Sequence, residues 1–365
     1  MPPNPLPYFA TRPERLAGLT LREWDHLVPL ARHSRLLARL QAILERQALL
    51  DRVPEPARLH LEAAALIAKE HERRIRWETE MIRQALAGTG IPVVLLKGAA
   101  YLLAGLPNAP GRLAADVDLL VAEEHLDTIE QRLRKHGWGD IAFDDYDQRY
   151  YRRWMHELPP LRHRLRGTEL DLHHAIVPRT SRLKPDPQRL LAATQPLGTD
   201  GHFRILAPTD MVLHCATHAF YDGDLQRGLR DMVDIHELLM HFGSTQGEFW
   251  DRLPQRAREL NMERPLYYAL RYTCRIMETP VPARVLKALG SAGPPALMRP
   301  VMDSLVRRTL LSPPLPDPTT RLAQWLLYVR SHWLRMPPSL LLPHLGRKAW
   351  RRLRGQEPLP KQVGN

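Results

Sequence analysis

The chain has 365 residues, 44% hydrophobic and 25% charged, the balance of a folded protein with a sizeable core rather than of a disordered one. Its two cysteines, Cys215 and Cys274, exclude a disulfide framework, a cysteine-based zinc finger and an iron–sulfur cluster. The net charge is +12, but nine Lys/Arg and one acid, Glu357, lie between Arg321 and Asn365, so the excess marks a basic tail and a nucleic-acid-binding surface is disfavoured.

The opening Met-Pro-Pro-Asn-Pro has no charged and apolar signal regions, and no apolar run approaches the roughly 20 residues of a bilayer span. A cytoplasmic protein is the expectation. Apolar residues recur at helical spacing from Leu21 to Leu50 and from Ala57 to Leu86, punctuated by Pro29 and by Pro54 and Pro56. Gly88 and Gly90 end the second stretch.

The period then changes. Ile91-Pro-Val-Val-Leu-Leu predicts a buried strand, and Lys97-Gly98-Ala-Ala-Tyr-Leu-Leu a tight turn opening a short helix. Leu106 to Arg112 is predicted loop, Ala115 to Val121 a strand, Glu123 to His136 an amphipathic helix, and Leu161 to Ile176 a hairpin whose second arm holds Thr168 to His173. After Pro208 the helical pattern returns and runs to about Leu334. The expected fold is α+β: a helical segment over 1–88, a small α/β unit over 89–200, a helical domain over 201–320 and the basic tail over 321–365.

The chemistry concentrates in the middle. Asp116 and Asp118 are two apart on a predicted strand, so both carboxylates point to one face, where they repel unless a cation lies between them. Oxygen ligands of this kind suit Mg²⁺ or Mn²⁺, ions that also bind substrate phosphates. Asp171, bracketed by Leu170 and Leu172 on a second predicted strand, is placed to join them and complete a two-metal site. Lys97 and Gly98 offer an ammonium and backbone N–H groups to phosphate, and Arg112 is a further phosphate candidate.

These residues resemble a bacterial family of uncharacterised nucleotidyltransferases in the DNA polymerase β superfamily: Leu-Leu-Lys97-Gly98, Arg112, Asp116-Val-Asp118-Leu-Leu-Val and Asp171-Leu-His173, followed by Pro208-Thr-Asp-Met-Val-Leu-His214 and Arg230-Asp-Met-Val-Asp234. The similarity covers about residues 60 to 290. It implies a polymerase-β-like core with a mixed sheet over 89–200 and transfer of a nucleoside monophosphate from an NTP to an acceptor hydroxyl, with release of pyrophosphate. It also implies that Asp116 and Asp118 bind divalent metal and that Asp171 completes the site and assists the hydroxyl. The superfamily's usual Gly-Ser turn is Lys-Gly here, and the segment from Gly98 to Asp116 is long for the superfamily.

Three competing readings follow from the same residues. A non-catalytic binding or regulatory protein that keeps the fold, linked to surface-polysaccharide production, is the main rival. His214 and His218, four apart on a predicted helix, have zinc-binding spacing, but the intervening Glu of a His-Glu-x-x-His motif is absent. The tail mixes Trp325, Trp333 and Trp350 with leucines and arginines, a composition suited to anionic membrane surfaces, and Pro337, Pro338 and Pro343 interrupt it. Docking of the tail on the rear helices is the favoured alternative.

Overall fold

A computed structural model describes residues 4–141, 145–198, 201–221, 225, 228–341, 346 and 350. Four helices come first: α1 (Leu6–Thr11), α2 (Leu21–His33), α3 (Leu37–Arg46) and α4 (Glu55–Ala85). A capping box between Thr20 and Glu23 starts α2. Pro29 does not break this helix as the sequence suggested. Trp24, Leu27, Val28 and Ala31 are buried around it, and that burial offsets the missing N–H. The break comes instead just after His33, where Arg35 turns left-handed at φ 57°.

The mixed middle holds β1 (Val93–Leu95), α5 (Lys97–Leu103), β2 (Asp116–Leu120), α6 (Leu126–Lys135), β3 (Trp138–Asp140), α7 (Asp145–Trp154), β4 (Leu161–His163), β5 (Glu169–His173), α8 (Pro187–Ala192), β6 (Gln195–Leu197) and β7 (Phe203–Ile205). The seven strands form one mixed sheet in the order β3-β4-β5-β2-β1-β7-β6. The expected hairpin is present as β4 antiparallel to β5. The strands β3, β6 and β7 go beyond the expectation: Trp-Gly-Asp, Gln-Pro-Leu and Phe-Arg-Ile hold no continuous apolar run like that at Ile91–Leu96. β7 lies parallel to β1 and carries the sheet past residue 200.

The rear is helical: α9 (Pro208–Tyr221), α10 (Leu229–Thr245), α11 (Phe249–Glu259), α12 (Glu263–Met277), α13 (Ala283–Ala288), α14 (Met298–Leu310) and α15 (Pro318–Arg335). One apolar core runs from Leu6 to Leu327 and joins the front helices, the sheet and the rear helices. A buried polar knot reinforces this union. Arg39 of α3 reaches Glu237 at 2.8 Å and Asp234 at 3.3 Å, both in α10, and donates to the Asn108 carbonyl. The approach is close enough that a Cβ on Gly111 (φ 72°) would lie 2.4 Å from the Ala38 carbonyl oxygen.

The first part of the basic tail folds as α15, which packs on α14 and α9 with Ala323, Leu327 and Ser331 buried. Arg347, Lys348, Arg351, Arg352, Arg354 and Lys361 lie outside the described residues. Among the described residues, no helix is long and apolar enough to cross a membrane.

Candidate functional site

Two adjacent inner strands of the sheet build the site. β2 and β5 run parallel, pairing Asp116 with Glu169, Asp118 with Asp171 and Leu120 with His173. Paired residues point to the same side, so Asp116, Asp118, Glu169, Asp171 and His173 share one face. Val117, Leu119, Leu170 and Leu172 take the other and are wholly buried. This apolar face holds the acidic one rigidly against the core. Asp118 and Asp171 are themselves only 3% and 5% exposed, whereas Asp116 at the strand entrance is half-buried.

Buried carboxylates in a low-dielectric site require countercharge. Lys97 supplies part of it: its Nζ donates to Asp118 Oδ1 at 2.8 Å. Burial works against the Lys97 ammonium, but Asp118, Asp116 and Asp171 outweigh it and hold its pKa above the ordinary lysine range. Burial also penalises the Asp118 carboxylate. Lys97 and His173 more than compensate and keep it well below the usual carboxylate range.

Lys97 reaches this position at a conformational cost. It is the first residue of α5 and has φ 47°, a left-handed geometry that costs a residue with a Cβ roughly 1–2 kcal/mol. Gly98 follows because nothing larger fits. A Cβ there would lie 2.5 Å from Arg112 Nη1 and 2.8 Å from the Ala114 Cβ.

Arg112, expected at a phosphate, has its guanidinium against Asp234 of α10, with Nε donating to Oδ2 at 2.8 Å, and 5.4 Å over the Tyr101 ring. Its side chain is 8% exposed, so its charge is matched within the protein. The structure therefore brings Lys97, Asp116, Asp118 and Asp171 to one face, places Gly98 at the turn beside them and directs Arg112 to the knot behind that turn.

The histidines complete the surroundings. His173 Nε2 donates to Asp118 Oδ1 at 3.1 Å, and its Nδ1 lies 3.4 Å from Glu157 Oε2. Burial lowers the His173 pKa, but the carboxylates on both sides dominate and raise it. Among the described residues, one set of His and acidic ligand atoms closes to within 4.8 Å: His156, Glu157 and His173. The aspartate trio does not close to that distance, as like charges repel.

His156 and Glu157 were not singled out in the sequence, since they lie in an irregular segment between α7 and β4 that displays no period. His214 of α9 is buried, and its pKa is pushed well below the ordinary value by burial, with the Lys97 charge adding to it. His218 stands 3.3 Å from Asp231. The His214–His218 spacing does not assemble a metal-holding cluster among the described residues.

No curated protein and no solved structure matches the chain. The sequence model of a family described as uncharacterised nucleotidyltransferases matches residues 20–278. That span takes in α2 to α12, and with them the acidic face, Lys97, the Arg39–Asp234–Arg112 knot and the His156–Glu157–His173 cluster. The chain belongs to this uncharacterised nucleotidyltransferase family.

Proposed function

We propose that the protein transfers a nucleoside monophosphate from an NTP to an acceptor hydroxyl at the β2–β5 face, in the manner of the polymerase β superfamily. The register that pairs Asp118 with Asp171 carries this reading, because it sets two buried carboxylates side by side on a rigid support with Asp116 at the rim. This donor set is all oxygen and suits Mg²⁺ or Mn²⁺. The Lys97 ammonium on Asp118 marks where positive charge is tolerated.

Asp116, Asp118 and Asp171 would hold the ion, which when bound neutralises charge on the triphosphate and the departing pyrophosphate. Asp171 takes the proton of the acceptor hydroxyl. The acceptor oxygen then bonds to the α-phosphorus as the bond from that phosphorus to the bridging oxygen breaks, and pyrophosphate leaves with the electron pair. Lys97 turns its ammonium from Asp118 to the phosphates, while Gly98 lets the turn approach them and Arg112 braces it from behind. Positioning and charge stabilisation supply most of the acceleration.

The test is thermal unfolding of wild type, Asp118→Ala and Asp171→Asn against each of the four NTPs with Mg²⁺. A nucleotide at 100 times its Kd adds about 2.7 kcal/mol to the folded state. The expected result is a Mg²⁺-dependent shift in wild type that both variants lose, followed by pyrophosphate release once an acceptor is supplied. A shift that survives in both variants would overturn the assignment. Binding without turnover on any hydroxyl acceptor would instead favour the non-catalytic regulatory reading.

Peripheral contact of the basic tail with an anionic membrane is proposed on a separate observation. α15 has a second apolar stripe opposite its buried one, with Leu322, Trp325, Leu326, Val329 and Trp333 exposed at helical spacing. Co-sedimentation with anionic but not neutral vesicles, lost in a Trp325→Ser/Trp333→Ser variant, is the outcome that supports it. Equal recovery with both vesicle types removes it.

A further inference from the structure

We infer that His156, Glu157 and His173 form a second divalent-cation site, for a transition metal of the zinc type, beside the aspartate face. The argument starts from hydrogen-bonding capacity. An ionised carboxylate can only accept. Asp118 therefore requires the proton of His173 to sit on Nε2, which directs the Nδ1 lone pair toward Glu157 Oε2 at 3.4 Å. Glu157 can only accept as well. The 3.4 Å between His173 Nδ1 and Glu157 Oε2 is the spacing of two ligand atoms each about 2.0–2.2 Å from one tetrahedral ion.

His156 stands beside this pair. Its ring centroid is 5.3 Å from that of His173 at an interplanar angle of 35°, and its ligand atom lies within 4.8 Å of both partners. It makes the third ligand of a two-histidine, one-carboxylate set. Imidazole nitrogen selects zinc-like ions over Mg²⁺, so the two sites take different metals.

The backbone holds the set in place. Glu157 and His173 are bridged as antiparallel partners, Leu158 N–H donates to the Leu172 carbonyl at 2.9 Å, and His174 N–H donates to the His156 carbonyl at 2.9 Å. His156 and His173 are 9% and 3% exposed. The link to the aspartate face is direct: with Nδ1 on the metal, Nε2–H remains on Asp118. This is the metal–histidine–carboxylate chain that fixes ring orientation in metalloproteins. The second site thus positions Asp118, and it stands whether or not the aspartates transfer nucleotide.

The test loads the purified chain with Zn²⁺, dialyses it against a weak chelator and measures zinc per chain, with Co²⁺ absorption as a report on ligation. Wild type and Asp171→Asn should each retain about one equivalent, while His156→Gln and Glu157→Gln should bind at least about tenfold more weakly. Circular dichroism of each variant confirms that it is folded, and Glu157→Gln is near-isosteric should His156→Gln fail that check. The inference is overturned by wild type that retains no zinc, in which case a proton on Nδ1 fills the gap. Retention undiminished in both cluster variants, or lost only in Asp171→Asn, overturns it equally.

Discussion

Gly98 and Arg112 are matched by size: the space a Cβ on Gly98 would need is taken by the Arg112 guanidinium, 2.5 Å away. The glycine at the Lys-Gly turn therefore serves packing as well as any ligand. Because Arg112 is fixed by Asp234, it cannot yield easily. Gly98→Ala should cost about 1–3 kcal/mol, the usual range for overpacking a filled site, read as a lower urea midpoint at unchanged slope. A variant as stable as wild type would show that the arginine moves freely.

Asp171→Asn preserves shape while removing one of the paired charges. Transfer should fall by about a thousandfold, equivalent to roughly 4 kcal/mol of lost charge stabilisation, with the unfolding temperature within a few degrees of wild type. Pyrophosphate release under saturating Mg²⁺ is the measurement. Retained turnover would remove Asp171 from the mechanism.

Strain and charge separate at Lys97. Lys97→Ala and Lys97→Gly both delete the ammonium that neutralises Asp118, but only glycine adopts φ 47° without penalty. The glycine variant should be the more stable of the two by about 1 kcal/mol. Equal stabilities would mean that the turn relaxes once the Lys97–Asp118 pair is gone.

Asp234 faces two guanidinium groups, Arg39 at 3.3 Å and Arg112 at 2.8 Å, and all three side chains are largely buried. Asp234→Asn leaves both cations short of countercharge. The expected loss is about 3–5 kcal/mol of stability, detected by calorimetry without nucleotide. A loss under about 1 kcal/mol would show that Glu237 and the backbone carbonyls suffice.

Acid should weaken the fold through His236, whose pKa burial lowers from 6.5 to about 4 while Nδ1 sits 2.8 Å from the Thr279 hydroxyl. The folded state disfavours the proton, so the unfolded chain binds more of it between these values and stability falls as pH drops from 6.5 to about 4. The loss amounts to about 3 kcal/mol. His236→Gln should remove this part of the acid sensitivity, measured as urea midpoints from pH 7 to 4. An unchanged profile would place the sensitivity elsewhere.

Local pattern determined much of this protein. The helix–mixed–helix order, the strand through Asp116 and Asp118, the hairpin ending at His173 and the placement of the two aspartates on one face all follow from periods of 3.6 and 2.0, which neighbouring residues express without help from the rest of the chain. Tertiary structure decided which groups meet. Asp118 faces Asp171 across a parallel pair, Lys97 lies on Asp118, and Arg112 turns away to Asp234 because packing of α10 and α3 behind the turn offers a buried carboxylate there. The short strands β3, β6 and β7 lie toward the two edges of the sheet, and Glu157 meets His173 through an isolated bridge while His156 is held by the His174 N–H. Such pairings join residues distant in sequence, and their energy comes from burial and countercharge, neither of which a linear pattern records.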